Sequence, residues 1–143
     1  MPMTRLATML SLIAAWKAKD IDGVLAHFSE DIVWHYAAAI APPVRGKEKA
    51  RKLLQGLAPQ VGEVRWRIFD ALEEGDRLFV EGVDEYVSAE GQLVSAPYAG
   101  VVIFRDDLIA ELREYFDMGV VSAMKAGGQA APHVRALIDR AAL

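Results

Sequence analysis

The stretch LFVEGVDEYVS, residues 78–88, alternates apolar and polar side chains with the two-residue period of a half-buried β-strand. This period puts Val80, Gly82, Asp84 and Tyr86 on one face, and we expect that face to be buried because Val80 and Tyr86 are on it. An acid among apolar side chains costs free energy unless it is paired, protonated or used in chemistry. Asp84 is therefore the first candidate functional residue.

A second acid lies in a similar alternating stretch, ELREYF, at residues 111–116. Glu114 shares its predicted strand face with Leu112 and Phe116, so we expect it to face an apolar interior as Asp84 does. Two carboxyl groups directed into one cavity would form a pair of acid/base groups. The sequence thus raises the hypothesis that Asp84 and Glu114 meet.

The alternating pattern that contains both acids begins near Val61 and predicts four strands. The turn-forming sequences EEGD, AEGQ and RDD separate these strands at hairpin spacing, which indicates an antiparallel meander. The predicted strands are Glu63–Leu72, Arg77–Ser88, Leu93–Phe104 and Ile109–Phe116.

The segments on either side of these strands mostly show the spacing of apolar residues that is typical of helices. Thr4 and Asp20 are predicted N-caps, because their side chains can accept hydrogen bonds from the first backbone N–H groups. Pro42-Pro43 indicates a loop before the third helix. The predicted segments are a helix from Thr4 to about Lys19, a short helix after Asp20, a strand over Ile32–Tyr36, a helix over Lys47–Leu57, a short helix from Asp117 or Met118 to Ala126, and a terminal helix over Pro132–Ala142.

This order of elements predicts an α+β fold, with helices on one side of a curved antiparallel sheet. A curved sheet wrapped around N-terminal helices leaves a cone-shaped cavity, which suits a small molecule. We expect one domain over residues 1–143, a length sufficient for a sizeable core, with residues 127–143 a C-terminal extension or helix.

The composition argues against several other classes of function. The net charge of −4 disfavours nucleic acid or an anionic membrane as partner, and the absence of cysteine excludes disulfides and thiolate metal sites. The apolar run at residues 1–16 is too short to span a bilayer, and Lys17 and Lys19 follow it at once. We interpret the run as a helix and expect a cytoplasmic protein. No spacing of His and acidic residues indicates a metal site, and we expect no cofactor.

Several segments together resemble the nuclear transport factor 2-like fold, and within it the SnoaL-like polyketide cyclase and limonene-1,2-epoxide hydrolase group. The resemblance covers about residues 8–121 and implies the same cone of sheet and helices. It does not imply one reaction, because the fold hosts many functions. The segments that carry it are KDIDGVLAHFSEDIVWH (19–35), PPVRGKEKARKLL (42–54), FVEGVDEYV (79–87), GVVIF (100–104) and LREYFD (112–117).

Limonene-type epoxide hydrolases use two aspartates with an arginine between them, and a tyrosine and an asparagine that hold the attacking water. The resemblance places the general acid at Asp84 and the general base at Glu114. It places the arginine at Gly82, and the water-holding pair at Trp34 and Tyr36. Both carboxyl positions are therefore kept, one as glutamate, whereas the arginine, the tyrosine and the asparagine are replaced.

Two carboxylates without a cation between them repel each other. At about 6 Å and an effective dielectric constant of about 20, the repulsion is about 3 kcal/mol, or about two pKa units. We expect the pair to share one proton, so that one acid stays neutral as a donor and the other stays charged as a base. Arg113 is next to Glu114 in sequence but points to the opposite face of the strand. The candidates to supply a cation from elsewhere are Arg45, Arg65, Arg67 and Arg105.

The face assignments and the resemblance also predict the wall of the cavity. We expect the hydroxyl of Tyr36 to reach inwards as a donor, so Tyr36 is a third catalytic candidate. Large aromatic side chains on an inner face are more often core than ligand-binding, but in a cavity fold they serve as both. The predicted substrate-binding residues are Trp34, Val80, Gly82, Tyr86, Tyr98, Leu112 and Phe116.

Three functions remain open on these observations. The first is an acid/base enzyme acting on a small apolar or polycyclic molecule, with epoxide opening, cyclisation or isomerisation as its reaction. The second is a non-catalytic domain that binds an apolar ligand in the same cavity. The third is a structural or dimer-forming domain. The resemblance implies this alternative, because exposed sheet faces in the fold group commonly pair into dimers, and we therefore expect a homodimer. The two acids favour the enzyme, which we prefer, whereas Gly82 in place of arginine favours the binding domain.

Overall fold

The computed structural model describes residues 4–143, so Met1 to Met3, at the start of the apolar N-terminal run, lie outside the described residues. Thr4 accepts a hydrogen bond from the backbone N–H of Ala7, and Asp20 accepts one from Gly23, so both N-caps are as predicted. The elements in chain order are α1 (Arg5–Lys17), α2 (Ile21–Leu25), β1 (Phe28–His35), β2 (Val44–Arg45), α3 (Lys47–Leu57), β3 (Val61–Val64), β4 (Arg67–Glu74), β5 (Arg77–Ser88), β6 (Leu93–Arg105), β7 (Leu108–Phe116), α4 (Met118–Lys125) and α5 (Pro132–Ile138).

The strands form one sheet in the order β2-β1-β7-β6-β5-β3, and β4 pairs with β5 beside β3. The predicted meander is confirmed, since β4 to β7 pair as successive antiparallel neighbours. The pairing of β1 with β7 is parallel, which the alternation alone did not predict. The observed architecture is therefore the predicted α+β fold, with one parallel pair in the sheet.

The register of the sheet decides which side chains share its inner face. Asp84 pairs with Ala96 on β6, and Glu114 pairs with Gly100 on the same strand. Ala96 and Gly100 are four residues apart, and the pairing of β5 with β6 is continuous through both, so the two positions belong to the same face of the sheet. Asp84 and Glu114 accordingly face the same side of the sheet.

The predicted strand over 63–72 is correct in place but wrong in detail. It is interrupted at residues 65–66, which separates β3 from β4, and its register against β5 shifts between Ile68 and Asp70. At this irregularity the backbone of Arg67 in β4 lies close to Gly82 in β5. A Cβ atom added at Gly82 would lie 2.1 Å from the carbonyl oxygen of Arg67, closer than atoms can approach.

Other boundaries differ because tertiary pairing extends or ends the segments. β1 begins at Phe28 instead of Ile32, because Phe28 is buried and pairs with Ile109, so residues 29–31 also lie within the strand. Tyr36 lies one residue beyond the end of β1. α1 ends before Lys19, whose φ of 57° is left-handed. Residues 44–45, predicted as loop, form β2, and α5 ends at Ile138 instead of Ala142.

The buried apolar residues within the described range 4–143 form two clusters. The larger one lies between the first three helices and the inner sheet face, with Met9, Leu25 and Leu78 among its fully buried members. The smaller one joins α4 and α5 to the sheet through residues such as Val121 and Val134. The C-terminal segment is thus packed against the sheet. Within residues 4–143, no helix is long and apolar enough to cross a membrane.

Candidate functional site

The inner face of the sheet and the helices enclose a cavity of about 300 Å³ with a mostly apolar wall. All three tryptophans of the chain line it, together with four other aromatic residues. The charged side chains in the wall are Asp84, Glu114 and Lys125. The full set of aromatic wall residues is Trp16, Phe28, Trp34, Tyr36, Trp66, Tyr86 and Phe116.

The two acids predicted from the alternation both line this cavity. Burial raises the pKa of Asp84 to about 6, and the positive charge of Lys125 opposes that rise. Burial also raises the pKa of Glu114 to about 8, and the negative charge of Asp84 adds to the rise. The two carboxyl groups therefore interact electrostatically inside one apolar cavity.

Glu114 is held by a neighbouring strand. The indole Nε1 of Trp34 donates a hydrogen bond of 3.0 Å to Oε1 of Glu114, which lowers the pKa of Glu114 against the effect of burial. The parallel pairing of β1 with β7 produces this contact, since it sets Trp34 beside Leu112. An indole N–H can only donate, so Trp34 orients one carboxyl oxygen.

The two pKa values describe a pair that holds one proton between about pH 6 and pH 8. In that range Glu114 is protonated and Asp84 is charged. Burial raises the pKa of Tyr86 to about 12 and raises that of Tyr98 well above its usual value, and the negative charge of Asp84 adds to both shifts. Both tyrosines therefore stay protonated. The arrangement can both accept and donate a proton near neutral pH.

Five of the predicted wall residues line the cavity and three do not. The three absent residues are on the predicted face, but neighbouring groups occupy the space in front of them. Val80 is buried in the larger apolar cluster, and the hydroxyl of Tyr98 accepts a hydrogen bond of 2.6 Å from Nε1 of Trp66. Gly82 has the carbonyl of Arg67 against it. Those that line the cavity are Trp34, Tyr36, Tyr86, Leu112 and Phe116.

None of the arginines considered from the sequence lines the cavity. Three of them form ion pairs with other acids: Arg67 with Glu85 at 2.9 Å, Arg65 with Glu63 at 3.1 Å, and Arg105 with Asp31. Arg45 lies exposed on the short strand β2. The arginine that limonene-type enzymes place between their acids has no arginine substitute among these four.

Among the wall residues that were not predicted, two have a sequence spacing that indicates their position. Trp66 continues the alternation of Val64 and Ile68. Lys125 follows Met118 and Val121 at the i, i+3, i+7 spacing of one helix face, and all three line the cavity. The helix residues that complete the wall, such as Leu12 and Leu54, belong to apolar stripes that core packing explains equally well.

The part of the chain that the structure describes, residues 4–143, contains no group of three or more His, Cys, Asp or Glu side chains arranged to hold a metal ion. His35 faces away from the cavity and lies 3.6 Å from Glu111. The polar groups of the residues that line the cavity are carboxyl, hydroxyl, indole and ammonium groups.

Solved structures with the same fold include proteins with different names. An NTF2-like protein of unknown function from Burkholderia pseudomallei is 18% identical, covers 83% of this chain and 95% of its own, and has a TM-score of 0.74. An LEH-like epoxide hydrolase from M. tuberculosis is 22% identical, with 84% and 88% covered and a TM-score of 0.72. A putative polyketide cyclase from Pseudomonas putida is 20% identical, with 85% and 98% covered and a TM-score of 0.71. The TM-scores establish the shared fold, and at identities this low the similarity establishes the fold alone.

A comparison with curated proteins finds no match. A family model for the SnoaL-like domain matches residues 10–112, which include the C-terminal part of α1, the strand with Asp84 and the start of β7. Because the match spans well over half of the chain, the protein belongs to the SnoaL-like domain family.

Proposed function

We propose that this protein is an acid/base enzyme that acts on a small apolar molecule in the cavity, with Asp84 and Glu114 as its proton-transferring groups. One carboxylate takes a proton from water or from an acidic C–H bond of the substrate. The other carboxylic acid gives a proton to the substrate oxygen on which negative charge develops. Epoxide opening and enolisation before cyclisation or isomerisation both fit this scheme.

The observation that carries the proposal is the presence of two carboxyl groups with pKa values of about 6 and about 8 in one apolar cavity. Acids with raised pKa values in a cleft are typical of functional sites, because a catalytic acid or base needs a pKa near the working pH. The names of similar structures, an epoxide hydrolase and a putative polyketide cyclase, support the same class of chemistry. Tyr36, at the wall beside Trp34, would donate to the substrate oxygen.

Two neutral probes test the proposal. Hydrolysis of styrene oxide is followed by diol formation, and proton abstraction from α-tetralone is followed by NMR as deuterium incorporation from D2O. We expect the wild type to accelerate at least one reaction, and Asp84→Asn and Glu114→Gln each to reduce it by about 100-fold or more. Glu111→Gln, on the same strand but the opposite face, is the matched control and should retain the rate.

A non-catalytic ligand-binding domain is the second candidate, and the carbonyl of Arg67 against Gly82 favours it. This contact leaves no space for the arginine that limonene-type enzymes use. If neither probe reacts, while an apolar ligand binds equally well to the wild type and to Asp84→Asn, the binding function replaces the enzymatic one.

A further inference from the structure

The cavity wall contains a basic residue, Lys125, that was not among the predicted site residues. Two carboxyl groups in one apolar site need a positive charge if either is to ionise readily. Among the described residues that line the cavity, Lys125 is the only basic one. It is the last residue of α4, and its neighbours one and two helical turns earlier, Val121 and Met118, line the same cavity.

The packing of α4 places Lys125 near Asp84. Met124, the preceding residue, is buried, and its sulfur accepts a hydrogen bond of 3.1 Å from the backbone N–H of Ser95. Ser95 is adjacent to Ala96, which pairs with Asp84. The end of α4 therefore lies over the part of the sheet that holds Asp84.

Glu114 occupies a different part of the inner face. It pairs with Gly100, four residues further along β6 than Ala96, which corresponds to about 13 Å along the strand. The hydrogen-bond partner of its carboxyl group is the neutral indole of Trp34. The two acids thus have different neighbours, one with a cation and the other with a neutral donor.

We propose that Lys125 is the positioning residue that keeps Asp84 charged, so that Asp84 is the base and Glu114 is the acid of the pair. This inference rests on the proposed acid/base function for its catalytic meaning. It reverses the roles that the resemblance to limonene-type enzymes implies, in which Asp84 would be the acid. The roles reverse because the positive charge is in a different place. It is Lys125 at the end of α4, whereas the position on β5 that would hold the arginine is Gly82, which has no side chain.

The electrostatics of the cavity agree with this assignment. The charge of Lys125 lowers the pKa of Asp84, whereas the influences on Glu114 are burial, the charge of Asp84 and the bond from Trp34. Tyr86 and Tyr98 also face the acids, and both stay neutral because their pKa values are raised. Lys125 is therefore the charge that distinguishes the two carboxyl groups.

Carboxyl 13C NMR of protein labelled at Asp and Glu side chains tests the inference without a substrate. In the wild type, Asp84 should titrate near pH 6 and Glu114 near pH 8. Lys125→Met should raise the midpoint of Asp84 by about 0.5 to 1 unit, and Lys125→Arg should restore it. Lys52→Met, which removes an exposed lysine of α3, is the matched control and should leave both midpoints unchanged.

Two results would overturn the inference: an Asp84 midpoint that does not move in Lys125→Met, or a Glu114 midpoint below that of Asp84 in the wild type. The titration does not depend on turnover, so the two proposals fail separately. Turnover of a probe with no effect of Lys125→Met on the midpoint removes the role of Lys125 alone. A shifted midpoint without turnover of any probe removes the enzymatic function, and the charge assignment stands.

Discussion

Trp34 donates its indole N–H to Oε1 of Glu114 across 3.0 Å, although the two residues are 80 positions apart in the chain. The contact exists because β1 runs parallel to β7, which places Trp34 beside Leu112 on the inner face. It fixes one oxygen of an acid that lines the cavity. Glu114 is thereby oriented by a neutral donor, and its protonation is governed by burial and by Asp84.

Replacing Trp34 by Phe should raise the pKa of Glu114, because the lost hydrogen bond favours the charged form of the acid. The change is measured as an upward shift of the Glu114 midpoint in carboxyl 13C NMR. Trp66→Phe, which removes an indole bonded to Tyr98 instead, is the control. An unchanged or lowered midpoint in Trp34→Phe would contradict the orienting role.

The stability of the protein should fall as the pH rises from about 5 to about 8.5. Glu114 has a folded-state pKa of about 8 against an ordinary value of 4.5, so the folded state favours the protonated form and loses stability as that proton leaves. Each pKa unit corresponds to about 1.4 kcal/mol, so the loss should reach a few kcal/mol. Urea unfolding at pH 5.5 and pH 8.5 measures it.

Glu114→Gln supplies the control for this pH dependence, because the amide does not titrate and the decline should become shallower. Burial lowers the pKa of His27, which stabilises the folded state as the pH rises and acts in the opposite direction. Asp84, whose pKa is raised to about 6, adds to the decline in the same direction as Glu114. His27 and Asp84 are present in both proteins, so the difference between the two curves reports the effect of Glu114. A wild-type curve that declines no more steeply than that of the variant would refute the assigned burial.

Gly82→Ala should lower the free energy of unfolding by about 2 to 4 kcal/mol, since the added methyl group would meet the carbonyl oxygen of Arg67 at 2.1 Å. Gly56→Ala is the matched control, because Gly56 is in α3 and its added methyl group would meet nothing within 4 Å. That second change should stabilise the protein by up to about 1 kcal/mol. Urea unfolding of both variants measures the contrast, and similar effects would show that Gly82 is not constrained.

An apolar fluorophore should bind in the cavity and accept energy from the tryptophans that line it. With N-phenyl-1-naphthylamine as the probe, Ala96→Phe should weaken binding at least about tenfold. Ala96 lines the cavity as the cross-strand neighbour of Asp84, so the larger side chain would fill part of the cavity. Val101→Phe, which places the same ring on the other face of β6, should leave the affinity unchanged. Equal binding by the two variants would place the probe elsewhere.

A homodimer through the outer sheet face remains a prediction. That face carries exposed apolar side chains on neighbouring strands, with Leu72 paired to Phe79 and Tyr115 further across the sheet. We expect a dimeric mass in sedimentation experiments, and Phe79→Arg should shift it to the monomer because a charge would be buried at the interface. Leu108→Arg, which replaces the exposed first residue of β7, is the control. A monomeric wild type would exclude the dimer.

Much of the fold could be predicted because the relevant sequence patterns act locally. The period of two in residues 78–88 assigns each side chain to a face, and it placed Asp84 on the inner one before any pairing was known. The caps Thr4 and Asp20 act within their own first turns. Strand ends were less accurate, as at Phe28, because pairing with a distant strand decides where a strand begins.

The sequence by itself determined the α+β order, the inner face of each long strand, and the presence of one acid on that face of β5 and of β7. Only the tertiary structure decided what surrounds those acids. The parallel pairing of β1 with β7 brings the indole of Trp34 to the carboxyl group of Glu114. The carbonyl of Arg67 in β4 leaves no space for a side chain at Gly82, and α4 places Lys125 in the cavity wall. Face and period depend on neighbours along the chain, whereas partners and available space depend on segments that meet only after folding.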